Sequence, residues 1–279
     1  MPSVNIDSQE LYYTWSPRGK GPVLLFVHGL GSSSSFYSTI IPSLVEKGHS
    51  CLAFDIPGSA LSRYRGRDSD VEAICGAALA LLSILQLDCK RVIVVGHSMG
   101  AIVASEMALH LNPLGIVLLG PVNPSPELAH VFTARIQLVQ KDGMEGVANV
   151  VPSAATGPQA TATHKAFIRT LLLAQSPEGY SSLCRTIAGA HKPRYEDAMC
   201  PLLIIVGSHD NTAPMAGCQE ILNSWGVEAG RKRMRVLQGV GHWHCIEAAD
   251  EVEALIDEFA RGIKETVGAT TADHKTLPV

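Results

Sequence analysis

The sequence predicts an α/β fold, a mainly parallel, doubly wound sheet with an inserted helical segment, on three observations. Short, almost continuously apolar runs alternate with longer helical patterns; the alternation breaks once, between Pro121 and Met199; and a Gly-x-Ser-x-Gly turn sits at a strand-to-helix junction. The strand candidates are Val23 to Val27, Cys51 to Phe54, Val92 to Val95, Ile116 to Leu119, Leu202 to Val206 and Met234 to Leu237. Runs without polar alternation suit strands covered on both faces. A further strand around Leu11 to Trp15 is expected to pair antiparallel at the sheet edge. Helices are expected at about 36–47, 70–86, 99–111, 214–224 and 247–263.

The break in alternation opens with Pro121, Pro124 and Pro126 and closes near Pro193 and Pro201, and it contains no good strand candidate. It reads as a helical cap at 122–195, inserted into a core made of 1–121 and 196–279. A helical lid at the C-terminal edge of the sheet excludes water and shapes a substrate pocket. The polar stretch 265–279 reads as a flexible tail.

Composition bounds the function. Hydrophobic residues make up 46% of the 279-residue chain and charged residues 17%, a globular balance with ample material for a core. With a formal net charge of -4 and no basic stripe, nucleic-acid binding has no electrostatic support. The basic cluster Arg231, Lys232, Arg233 and Arg235 reads as a solvated approach to a strand. Seven dispersed cysteines, none in a CxxC pair, argue against a disulfide framework and against a zinc site. No apolar run approaches a membrane span and the first ten residues lack an apolar leader, so no membrane association and a cytoplasmic location are expected.

The chemistry starts at Gly96-His97-Ser98-Met99-Gly100, between the strand Val92 to Val95 and a helical run from Ala101. This strand-turn-helix setting is that of a nucleophile elbow, in which Gly96 and Gly100 allow a turn too sharp for flanking side chains and Ser98 is held exposed. A serine hydroxyl is a weak nucleophile at neutral pH and needs a base, oriented by an acid. Asp210 stands where the strand Leu202 to Val206 ends, in the position of an acid that fixes the tautomer of an imidazole. The base is sought on Gly239-Val240-Gly241-His242-Trp243-His244, after the last strand. His242 is the choice and His244 the alternative; His97, beside Ser98, reads as a packing or hydrogen-bonding residue. A tetrahedral oxyanion needs two N–H donors. Met99 supplies one, and Leu30, in the loop His28-Gly29-Leu30-Gly31, supplies the other, with Gly29 letting that backbone approach a substrate.

With the elbow, the His-Gly loop, the late Asp and the late His in order, the sequence resembles the α/β-hydrolase superfamily over nearly its whole length. Asp55 to Ser62 is similar to that family's D-x-x-G-x-G-x-S loop, with Ala60 replacing a glycine. The serine at the elbow sets it apart from members with an aspartate nucleophile. The stretch Ser176-Pro177-Glu178-Gly179-Tyr180, with Cys184 and Ile187-Ala188, resembles the cap-to-strand junction of 3-oxoadipate enol-lactonase-like hydrolases. The resemblance implies a serine hydrolase acting on a small ester or lactone, with no cofactor or metal. A ligand-binding, receptor-like protein, or an enzyme cleaving a C–C, thioester or amide bond, stays open as the alternative on the same fold.

Overall fold

The computed structural model describes residues 2–19 and 21–272, with side chains as far as Ile263. Eight strands, β1 (Ser3–Ile6), β2 (Gln9–Ser16), β3 (Val23–Val27), β4 (Ser50–Phe54), β5 (Val92–His97), β6 (Gly115–Leu119), β7 (Leu202–Gly207) and β8 (Lys232–Leu237), form one sheet in the order β1-β2-β4-β3-β5-β6-β7-β8. From β4 to β8 all neighbours are parallel, whereas β1–β2 and β2–β4 pair antiparallel. The expected antiparallel N-terminal strand is β2, but it is not the edge: the short β1, unseen in the sequence, lies outside it. Four residues with polar alternation carry too little apolar signal to be read alone.

Strands β3, β4, β5, β6 and β7 are buried along their whole length. Helices α1 (Ile41–Glu46), α2 (Val71–Ile84), α3 (Met99–Leu111), α7 (Met215–Ser224), the short α8 (His244–Glu247) and α9 (Ala249–Ala272) surround the sheet. The helix expected at 36–47 is a 3-10 turn followed by α1, which starts with a proline in its first turn. The basic cluster is largely the opposite edge strand, β8, whose Arg233 pairs with Glu258 of α9 at 2.9 Å. Charge on an edge strand discourages pairing with another chain. Helix α9 runs on to Ala272, so the stretch read as a tail from 265 begins as helix; 273–279 lie outside the described residues.

Between β6 and β7 lie three helices and no strand: α4 (Pro126–Ala154), α5 (Ala162–Leu173) and α6 (Pro177–Gly189). Each starts on a hydroxyl cap, Ser125, Thr161 and Ser176, that accepts a first-turn N–H. Gly143, at φ 64° and ψ -167°, divides α4 with a kink. The stretch Ser176 to Ala188, expected at a junction with the sheet, is helix α6 itself, with its cap.

Of the seven cysteines six are buried and Cys89 is partly so, all as free thiols. Burial pushes the Cys51, Cys75, Cys184, Cys200 and Cys218 thiols up to about 12, which leaves them protonated and inert. Among the described residues no helix is long and apolar enough to cross a membrane.

Candidate active site

The parallel register brings the strand ends level. Val27 of β3 pairs with Gly96 of β5, His97 with Leu119 of β6, and Gly207 of β7 with Leu237 of β8. The loops carrying His28, Ser98, Gly120, Asp210 and His242 therefore leave the sheet at one edge. The chain turns from β3 to β4 on one side and on to β5 on the other, so the His28 loop and the elbow flank the reversal where α/β sheets bind ligands.

At the elbow, Ser98 has φ 55° and ψ -115°, a conformation costing a non-glycine residue roughly 1–3 kcal/mol. Packing holds it there. A Cβ on Gly96 would lie 2.2 Å from the Gly100 oxygen, and one on Gly100 would lie 2.1 Å from the Val27 oxygen, so strand, turn and helix α3 approach closer than any side chain permits. The Ser98 N–H donates to Leu119 O at 3.0 Å, tying the elbow to the end of β6. Ser98 is only 4% exposed, and its hydroxyl makes no hydrogen bond among the described residues.

His242 and Asp210 do meet. The His242 Nδ1–H donates to Asp210 Oδ2 at 2.8 Å, which leaves Nε2 as the free ring nitrogen. Asp210 Oδ1 accepts the Thr212 and Ala213 N–H groups at 2.9 and 2.8 Å, so the residue is at once an Asx turn and an imidazole partner. Burial is the largest single influence and would raise its carboxyl, but the charge and hydrogen bond of His242, with His244 and the Ala213 N–H, together outweigh burial and hold it below its ordinary value. It stays ionised at neutral pH.

The geometry separates the two candidate bases. His244 is fully buried, its Nε2 accepts the Gly207 N–H at 3.1 Å, and it lies 3.8 Å from Asp210 Oδ2 without a hydrogen bond. Burial lowers its titration to about 4, so it is a neutral packing imidazole. His97 donates from Nε2 to the His242 carbonyl at 2.9 Å and stacks on Phe36 with ring centroids 4.3 Å apart; burial drives its pKa well below the usual histidine range.

The His28 loop lies against the elbow: a Cβ on Gly29 would lie 2.9 Å from Ser98 Cβ. His28 accepts the Ile56 N–H on Nε2, which puts the proton on Nδ1 for donation to the Gly29 carbonyl at 2.8 Å. Because a trans peptide points C=O and N–H in opposite directions, this bond turns the Leu30 N–H away from His28. Asp55 secures the neighbouring backbone through Ser34 N at 2.8 Å and Leu61 N at 3.0 Å, and Ala60, where the resembling loop carries glycine, adopts φ 42°. Neither Leu30 nor Met99 gives its N–H to a protein acceptor among the described residues. Above this loop a Cβ on Gly31 would lie 2.6 Å from Leu172 of α5 and 3.0 Å from Tyr180 of α6.

Two features escape a reading of the sequence. Gly120, just past β6, has φ 48°, and a Cβ there would lie 2.5 Å from His244 Cε1, 2.8 Å from Asp210 Oδ2 and 3.2 Å from His242 Nδ1. Its position directly after a buried strand is the one signal that could have marked it. The second is that the His242 N–H donates to Ala155 O, at the end of α4, at 2.8 Å, a contact between residues far apart in sequence.

A nearly enclosed serine on a strained elbow, an imidazole bonded to a buried carboxylate, and two unengaged N–H groups form an arrangement suited to acyl transfer. Known proteins agree with the fold. The enol-lactonase of Burkholderia xenovorans LB400 is 25% identical and superposes with a TM-score of 0.81 over 92% of this chain and 99% of its own. An esterase of Thermogutta terrifontis, 20% identical, matches with a TM-score of 0.83 over 94% of this chain and 97% of the other. An uncharacterised protein of Mycobacterium bovis is 34% identical over 96 residues, 34% of this chain but only 27% of that relative's length. A sequence model described as the Alpha/beta hydrolase family matches residues 24–255, spanning every strand from β4 to β8 together with Ser98, Asp210 and His242, and the chain belongs to the alpha/beta hydrolase family.

Proposed function

We propose that the protein is a serine hydrolase that cleaves a small carboxylic ester or lactone through an acyl-enzyme intermediate. The observation that carries the proposal is the 2.8 Å bond from His242 Nδ1 to Asp210 Oδ2, beside a serine at φ 55° on the elbow. Ser98 Oγ attacks the carbonyl carbon while His242 Nε2 takes its proton, and the Leu30 and Met99 N–H groups hold the oxyanion. The imidazolium returns the proton to the leaving oxygen, and water, deprotonated by the same imidazole, releases the acid and restores Ser98. Asp210 stays ionised and stabilises the imidazolium.

Helices α4 to α6 serve in this reading as a cap over Ser98, consistent with the serine's 4% exposure and with Leu172 and Tyr180 against the Gly31 backbone. The likeness to an enol-lactonase at 25% identity supports the ester or lactone class.

The test is a burst assay with p-nitrophenyl acetate and butyrate on wild type and Ser98→Ala, followed by intact mass. Wild type is expected to show a burst and an acyl adduct. Ser98→Ala is expected to lose both and to fall at least about 1,000-fold in turnover. A folded Ser98→Ala that turns over like wild type overturns the proposal.

A further inference from the structure

Glu247, at the end of α8, has no part in the chemistry above, yet its carboxylate is the hub of the His242 loop. Oε2 accepts the Gly157 N–H at 2.7 Å and the Gly241 N–H at 3.0 Å, and Oε1 accepts the Trp243 N–H at 3.0 Å. Gly241 and Trp243 flank His242. The backbone of His242 is engaged as well, its N–H on Ala155 O at 2.8 Å and its carbonyl on His97 Nε2 at 2.9 Å. Gly157 and Ala155 lie in the turn after α4, so the loop is fastened both to the inserted helices and to the elbow. A Cβ on Gly241 would lie 2.6 Å from Gly157 N, so the two segments touch backbone to backbone.

We infer that Glu247 is a positioning residue for His242: its carboxylate locks the peptides on either side of the base and ties them to the turn after α4, fixing the imidazole against Asp210. The inference rests on reading His242 as the base. Three N–H donors converge on the two oxygens of one carboxylate, and a carboxylate accepts N–H bonds more strongly than a neutral oxygen does. No neutral side chain of the same shape replaces it. A glutamine has one acceptor oxygen, so its NH2 group faces either the Gly157 and Gly241 donors or the Trp243 donor, leaving them opposed by another donor. The loop then moves, and with it the 2.8 Å bond to Asp210. The cost falls on turnover rather than on substrate binding, since Glu247 makes no hydrogen bond to Ser98 or to the His28 loop among the described residues.

The experiment pairs kinetics with proton NMR on wild type and Glu247→Gln. The His242 Nδ1–H bound to Asp210 gives a far-downfield resonance that reports the geometry whether or not a substrate is turned over. Expected for Glu247→Gln is a folded protein in which this resonance shifts or broadens away, kcat for p-nitrophenyl butyrate falls at least about tenfold, and KM stays within about twofold. An unchanged resonance with unchanged kcat overturns the inference, even if Tm drops, because that is what a purely structural carboxylate would give. If wild type shows no Ser98-dependent turnover but the resonance still depends on Glu247, the positioning role stands and the hydrolase reading fails. Should Glu247→Gln not fold, Glu247→Asp keeps the charge and shortens the reach. A wild-type resonance and kcat in that variant overturn the inference equally.

Discussion

Gly120→Ala tests how the site is assembled, because the glycine lies where β6 meets the Asp210–His242 pair. Two costs add. The left-handed φ of 48° costs an alanine about 1–2 kcal/mol. The new methyl would also stand 2.5 Å from His244 Cε1 and 2.8 Å from Asp210 Oδ2, against the roughly 3.5–4.0 Å at which nonbonded carbon atoms rest. Neither neighbour is the free end of a flexible chain. His244 is pinned by the Gly207 N–H, and Asp210 is held by Thr212, Ala213 and His242. Overpacking of this kind costs about 1–3 kcal/mol, so the total expected loss of stability is roughly 2–5 kcal/mol. Accommodating the methyl displaces the carboxylate by about 1 Å, and a misplacement of that size costs on the order of 100-fold in rate. Urea unfolding and kcat/KM for p-nitrophenyl butyrate measure the two effects. Gly48→Ala is the control, with φ 92° and nothing within 4 Å of a Cβ; it should lose stability and keep its activity. A Gly120→Ala protein within about 0.5 kcal/mol of wild type and with unchanged kcat/KM refutes the packing argument.

Two further predictions follow from the histidines. His242→Gln should abolish the Ser98-dependent burst, lowering turnover at least about 1,000-fold, whereas His244→Gln should lower the urea midpoint and keep the burst; a burst that survives in the first and vanishes in the second would exchange their roles. Stability should also fall as pH drops from about 6.5 toward about 4. Burial holds His244 neutral down to about 4, while in the unfolded chain it takes up a proton near 6.5. The unfolded state therefore binds more protons across that window, and the loss reaches about 3 kcal/mol from His244, with buried His28 and His97 acting in the same direction. Urea titrations at pH 7.5 and pH 5 measure it, and a His244→Gln protein should show a shallower slope; equal stability of wild type at both pH values would contradict the assignment of neutral buried imidazoles.

The sequence by itself determined the alternation of buried strands and helices, the break between Pro121 and Met199, the Gly96 to Gly100 turn, and the loops that carry Asp210 and His242. Those features are local. A buried strand must be apolar along its length, and a sharp strand-to-helix turn must have small flanks, so each leaves its mark within a few residues. The proposed preference for His242 over His244 is different, because two residues on one loop share every local signal. It rests on Gly207, whose N–H occupies Nε2 of His244, and on Asp210, which accepts the Nδ1–H of His242. The short β1 outside β2, Gly120 beneath the Asp210–His242 pair, and the carboxylate of Glu247 holding peptides of two separate loops were likewise settled only in the folded chain. The contacts of Gly120 and Glu247 join segments far apart in sequence and become visible only when folding brings those segments together, whereas β1 is too short and too weakly apolar to show in the pattern.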